Sequence, residues 1–126
     1  MKQNINKIEL QGCIGSVRTQ SYNDRNVARI SVATNYIYRD KEGTAVIETT
    51  WHNVSAWENG RGIKSLDTLK KGDCVHVKGR VRMVRYTDAD GQERTSYEVV
   101  ATSVKLLKEK PAELQAESEL KEAVNA

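Results

Sequence analysis

An all-β fold is predicted for this 126-residue chain, and three observations predict it. Apolar and polar residues alternate with period two through residues 27–34 and, over the longest stretch, 74–86, the pattern of strands buried on one face. Turn-forming clusters, Arg39-Asp40-Lys41-Glu42-Gly43 and Thr87-Asp88-Ala89-Asp90-Gly91, sit between such stretches. Phe is absent, so the core must be largely aliphatic, and the seven Trp and Tyr rings are free to serve elsewhere.

The elements follow in order. Residues 6–14 alternate as a first strand with Ile8, Leu10 and Ile14 inward, and Gly12 and Gly15 mark a bend or bulge near its end. Ser21 to Asn26 has the composition of a loop. Residues 27–34 form a second strand with Ala28, Ile30 and Val32 on one face and Arg29 and Ser31 on the other. A long hairpin through Arg39–Gly43 leads into a third strand, residues 47–57. Ile63, Leu66 and Leu69 have helical spacing, which predicts a short helix ended by Gly72. In the fourth strand, 74–86, Val75, Val77, Gly79, Val81 and Met83 take one face. His76, Lys78, Arg80, Arg82, Val84 and Tyr86 take the other. After the Asp88–Gly91 turn, residues 92–107 supply a fifth strand. Five strands with a short helix between the third and fourth suggest an OB-type barrel with long hairpin arms.

Residues 1–107 are expected to be one such domain. Residues 108–126, rich in Glu and Ala, are expected to be a flexible or weakly helical tail. The charge is uneven: 17 Lys and Arg against 12 Asp and Glu up to residue 107, and 3 against 5 beyond it. A basic body suits a polyanionic partner. No apolar run reaches the length of a membrane span and the first residues lack a signal peptide's apolar stretch, so a cytoplasmic location is expected.

The chemistry is concentrated on open strand faces. In the run Thr50 to Trp57, parity puts Trp51 and Trp57 on one face with Asn53 and Ser55, and Val54 and Ala56 on the core side. A core placement for the rings would bury Asn53 and Ser55 beside them. Large flat rings among polar groups are built to meet something flat, and every nucleobase offers a π-face. Lys78, Arg80, Arg82 and Tyr86 share a face of the fourth strand, Arg29 lies outward on the second, Tyr38 with Arg39 occupies one arm, and Arg85 with Tyr86 the other. Positive charge tracks phosphates while rings accept bases. Tyr22, Tyr36 and Tyr97 are read as structural.

Other chemistries are not expected. His52, His76, Cys13 and Cys74 have no metal-ligand spacing, so no metal and no cofactor is predicted. The two cysteines read as small strand residues. Gly60-Arg61-Gly62 lacks the length and the Lys-Ser/Thr of a phosphate loop, and no nucleophile is paired with a base, so no enzymatic activity is predicted. His52 shares the inward parity of Val54, which suits packing or an interface.

Taken in order, Asn6-Lys7-Ile8 with Gly12 and Gly15, Ala28 to Thr34, Tyr38-Arg39-Asp40, Thr50 to Val54, Leu69 to Gly72, Val77 to Arg82 and Tyr86-Thr87-Asp88 with Gly91-Gln92 resemble the bacterial single-stranded DNA-binding protein family from about residue 4 to 107. The resemblance implies an OB fold, a homotetramer and wrapping of single-stranded DNA, with stacking rings at Tyr38, Trp51, Trp57 and Tyr86. It also implies subunit contacts at His52, and Lys7 and Glu9 on the first strand are expected at an oligomer interface as well. Two departures stand out. The chain stops at Val124-Asn125-Ala126 without the acidic, aromatic-tipped terminus that recruits replication and repair proteins, so recruitment by that route is not expected. Glu9 and Gln11 stand where the family has aliphatics, which leaves a dimer open beside the tetramer. Both departures suit a mobile-element or accessory paralogue, and a primosome-like protein working through protein–protein assembly is the alternative function.

Overall fold

A computed structural model of the chain describes residues 3–59, 62–63 and 66–107. Five strands, β1 (Ile8–Tyr22), β2 (Arg25–Arg39), β3 (Ala45–Trp57), β4 (Cys74–Thr87) and β5 (Glu93–Leu106), close into a barrel in the order β1-β2-β3-β5-β4. Every ladder is antiparallel except β3–β5, which runs parallel for three rungs from Val54–Val99 to Ala56–Ala101. The expected all-β, OB-type barrel is therefore present.

The core follows from the alternation. Leu10, Ile14, Ala28, Ile30, Val32, Val54, Ala56, Val75 and Val77 are all buried, as their parity requires. Each large aliphatic taken fully out of water contributes roughly 1.5–3 kcal/mol. The bulge expected near the end of the first strand falls at Gly15, where the β1–β2 register shifts between Ile14 and Ser16.

The short helix expected over Ile63–Leu69 is not found among the described residues. Ile63, Leu66 and Leu69 are buried, and the described residues around them form bends and a turn. Among the described residues, Leu69 N–H closes a single turn on the Leu66 carbonyl (3.3 Å), and other backbone donors go to side chains. Ile63 N–H donates to Asn59 Oδ1 (3.0 Å), Leu66 N–H to Glu58 Oε1 (3.2 Å) and Lys70 N–H to Asp73 Oδ2 (3.0 Å). A segment this short is marginal as a helix.

Two further findings differ from the expectation. The loop of residues 21–26 shrinks to a two-residue turn, with Asn23 and Asp24 both at positive φ (48° and 65°) and Tyr22 paired with Arg25. That geometry suits the right-handed twist of a tight hairpin. Cys13 and Cys74, directly opposite each other on β1 and β4, are joined as a disulfide at a Cα–Cα distance of 4.0 Å. The expected tail, 108–126, lies outside the described residues.

The strands outrun the barrel. β1 covers β2 only as far as Ala33, so Thr34–Arg39 of β2 and residues 45–50 of β3 continue as a two-stranded arm. β1 covers β4 only as far as Gly79, and β4 continues with β5 to Thr87–Glu93 as a second arm. Both arms turn in the same way. Asp40 Oδ1 accepts from the N–H of Glu42 and Thr44, with Gly43 at φ 82°. Asp88 Oδ1 accepts from the N–H of Asp90 and Gln92, with Gly91 at φ 79°. An aspartate two residues ahead of its donors is an Asx turn, and the left-handed position suits glycine.

Candidate nucleic-acid interface

The outer face of β1, β2 and β3 builds its floor row by row from the register. Arg18, Arg29 and Ser55 form one row; Ser16, Ser31 and Asn53 form the next, with the Ser16 and Ser31 hydroxyls 2.9 Å apart. A groove of about 570 Å³ runs over these rows to Ser96, Tyr97 and Glu98 on β5. It exists because β3 and β5 pair for only three rungs and then separate.

Trp51 sits one row further along, opposite Ala33, and 60% of its surface is exposed. Its indole leans across β2 onto Gly15 at the β1 bulge. A Cβ placed on Gly15 would come within 2.8 Å of the ring's Cη2. Glycine at this position leaves room for the far edge of a large ring, most of which stays exposed.

Trp57, at the opposite end of the same face, is treated differently. It is half-buried, with Tyr22 tilted at 44° beside it (centroids 6.1 Å apart) and the Arg25 guanidinium 5.2 Å from its ring centre. Val27, its partner on β2, is fully buried despite its outward parity. The two tryptophans share a face, but only Trp51 is open.

Ser55 also departs from its expected place. It is 5% exposed, on the outward side. Its hydroxyl donates to Glu98 Oε2 (2.9 Å) and lies 3.4 Å from Arg29 Nη1. Glu98 in turn pairs with Arg82 and stands 3.8 Å from Arg29 Nη1, with 12% of its side chain exposed. Two of the expected basic residues, Arg29 and Arg82, therefore converge on one carboxylate. Glu98 was legible in principle. Counting outward from the Asp88–Gly91 turn puts it opposite Arg82, as the register has it.

The remaining basic residues divide between places. Lys78 and Arg80 line a second groove of about 670 Å³ beside Lys7 and Glu9, where β1 crosses β4. They share parity with Arg82, but the barrel's closure turns that end of β4 toward β1. Arg85 and Tyr86 lie on the β4–β5 arm, where Tyr86 is exposed. Arg39 is spent on its own hairpin, donating to the Gly43 carbonyl (2.9 Å).

Tyr38 is on the β2–β3 arm, and Tyr36, read from the sequence as structural, stands beside it with ring centroids 5.9 Å apart and 67% of its surface exposed. Both have the parity of Val32, opposite to that of Ala33 and Trp51, so this pair and Trp51 belong to opposite faces of the ribbon. Tyr97 is likewise exposed, opposite Met83. A period-two reading assigns each ring to a face, but only the arm's projection beyond the barrel leaves the inward parity of Tyr36 and Tyr38 open to solvent.

His52, half-buried opposite Val32, has its Nε2 2.9 Å from Thr34 Oγ1, and burial pulls its pKa below the ordinary 6.5. Glu9 is exposed, with its Oε2 3.1 Å from His76 Nε2 across the β1–β4 ladder. Among the described residues no group of three His, Cys, Asp or Glu side chains gathers as a metal site, and no helix is long and apolar enough to cross a membrane. The arrangement can do two things chemically: offer aromatic faces, and offer guanidinium and ammonium donors around polar grooves.

Comparison with known proteins agrees with this geometry. The chain is 36% identical over 105 residues to a single-stranded DNA-binding protein of Neisseria meningitidis, covering 82% of this chain and 60% of that protein. It is 34% identical over 109 residues to one from Xanthomonas campestris, covering 85% and 63%. The chain thus spans about 60% of the length of these relatives. In fold it is similar to a structure of Plasmodium falciparum SSB in complex with ssDNA, with a TM-score of 0.72, 24% identity, and coverage of 86% of this chain and 99% of that one. It is also similar in fold to the single-stranded DNA binding protein from Thermus aquaticus, with a TM-score of 0.68, 20% identity, and coverage of 82% and 51%. The single-strand binding protein family model matches residues 5–107, from the segment ahead of β1 to just past the end of β5, and the chain belongs to that family.

Proposed function

We propose that the chain binds single-stranded DNA without reading its sequence and protects it during replication, recombination and repair, with no catalytic step of its own. The observation that carries this reading is Trp51: an indole resting on the Gly15 backbone, 60% exposed, beside an arginine-lined groove. The far edge of the ring is seated over Gly15, and the exposed part of the indole is free for a base. A base stacked on such a ring contributes roughly 1–3 kcal/mol whatever its identity, which gives affinity without sequence readout. Trp57, Tyr38 and Tyr86 are proposed as further stacking positions. Arg29, Arg39, Lys78, Arg80, Arg82 and Arg85 supply the positive field along the backbone path.

Because Tyr38 and Trp51 occupy opposite faces of the β2–β3 ribbon, a strand that uses both must pass around the arm. The relatives named as single-stranded DNA-binding proteins support the same reading. Assembly belongs to the proposal as well: a homotetramer, with a dimer as the alternative, using His52 and the Lys7–Glu9 edge of β1. A cytoplasmic, nucleoid-associated location goes with it.

Titration with oligo(dT), following tryptophan fluorescence at several salt concentrations, tests the reading. Quenching is expected, with log affinity falling against log salt by about 0.7 per phosphate contact. Absence of quenching, or affinity indifferent to salt, overturns it. Weak strand binding beside tight binding to a helicase would favour the accessory-protein alternative. Light scattering with and without long oligo(dT) decides between tetramer and dimer.

A further inference from the structure

Arg18 and Arg29 line the 570 Å³ groove, Arg82 reaches its edge only through Glu98, and the three are not electrostatically equivalent. Arg29 and Arg82 both face Glu98, which is mostly buried and fixed from below by the Ser55 hydroxyl at 2.9 Å. A phosphate approaching either guanidinium meets a carboxylate already in place and unable to swing away. Arg18 is different. It lines the groove, is exposed and, among the described residues, has no ion pair. Its direct cross-strand partner is Arg29. Like charges directly opposite in a sheet repel, and an anion seated over the pair relieves that repulsion. The hydroxyls of Ser16 and Ser31, one row along the floor, add neutral hydrogen-bonding groups.

We infer that Arg18 is the groove residue that grips a phosphodiester anion of the bound strand, and that Glu98 withholds Arg29 and Arg82 from that task. The inference rests on the single-strand reading above and assigns the work within it. Arg18 carries the phosphate contact, and Glu98 sets how much of the groove's remaining positive charge a strand can use.

The test is the salt dependence of oligo(dT) binding by the full chain and three variants. Arg18→Gln is expected to make the log–log slope shallower by about 0.7, a loss of roughly fivefold in affinity per tenfold dilution of salt below 1 M. Arg18→Lys keeps the charge and is expected to restore most of the slope. Glu98→Gln keeps an acceptor for Ser55, releases both arginines, and is expected to steepen the slope by at least about 0.7. A wild-type slope in Arg18→Gln overturns the assignment to Arg18, and an unsteepened slope in Glu98→Gln overturns the role of Glu98. Arg18 is exposed, so its variants fold and decide the first point even where Glu98→Gln melts early. A wild-type protein that does not bind oligo(dT) overturns the single-strand reading itself, an outcome distinct from either.

Discussion

Trp51 lies against Gly15, so the most exposed tryptophan of the chain is positioned by the absence of a side chain on a different strand. A methyl group at Gly15 meets the far end of the indole rather than backbone, so the ring is what gives way. Gly15→Ala is therefore expected to fold with a stability loss of about 1 kcal/mol or less, yet to weaken oligo(dT) binding several-fold and reduce quenching. Thermal melting and fluorescence titration on one preparation check both halves. Unchanged binding would mean that the ring's seat is irrelevant to its use.

The Ser55–Glu98 contact makes a separate prediction about stability. Ser55 is buried on the outward side, and its hydroxyl is a neutral donor to a carboxylate. Ser55→Ala is expected to cost about 1–2 kcal/mol, since Glu98 loses a partner where water enters poorly. A double-mutant cycle between Arg82 and Glu98 should give less, about 1 kcal/mol or below, because Arg82 is half in solvent. Urea denaturation of the single and double variants measures both.

His52 predicts the direction of a pH effect. Desolvation lowers its pKa in the folded protein below the ordinary 6.5, so the folded state prefers the neutral ring. The unfolded chain then binds more protons in the window just below 6.5, and stability rises with pH there. The contribution is complete above about 6.5 and is lost as pH drops through the folded value. Melting temperatures from pH 7.5 to 5 should decline, and His52→Gln should flatten that part of the decline. An identical profile in the variant would show that the ring does not contribute.

The paired hairpins offer a local test. The Asp88 carboxyl is held below its ordinary 3.8, first by the Arg94 guanidinium at 2.9 Å and then by the Gln92 and Asp90 amides. Its folded pKa is depressed, so the support it gives the β4–β5 turn is complete above about pH 4 and is lost on acidification. Asp88→Ala should speed hydrogen exchange at the amides of Asp90 and Gln92 while core amides of β4 such as Val77 keep their protection. Gly91→Ala, at φ 79°, should cost about 1 kcal/mol. The matching substitutions at Asp40 and Gly43 should behave alike, because the two turns share their geometry.

Much of the architecture was legible because β periodicity is a local property. Parity named the core residues Ile30, Val32, Val54, Val75 and Val77, and it put Trp51, Arg29 and Arg82 on the outer face. What parity could not supply was neighbourhood. Ser55 looked like an open polar residue because nothing local announces that Glu98 and Arg29 close over it. Lys78 and Arg82 looked like one basic stripe because strand curvature is set by the other four strands. Ile63, Leu66 and Leu69 have helical spacing, but the described residues show turns there and no helix. Their spacing serves any compact plug, and the side-chain acceptors Glu58, Asn59 and Asp73 lie outside the apolar pattern.

One small contact bears on how the molecule meets copies of itself. The Asn6 carboxamide donates to the Val81 carbonyl at 2.7 Å and accepts from the Val81 N–H at 2.9 Å, just beyond the last β1–β4 rung at Ile8–Gly79. A side chain is imitating a peptide group and occupying the first hydrogen-bonding station that β1 leaves vacant on β4. Strand margins left bare in this way recruit further strands, and polar plugs are one of the means by which sheets stop growing. Shortening the chain past Asn6, or fusing a bulky tag against it, lengthens that bare margin by one rung. The foreseeable result is a barrel that still folds but clumps on storage.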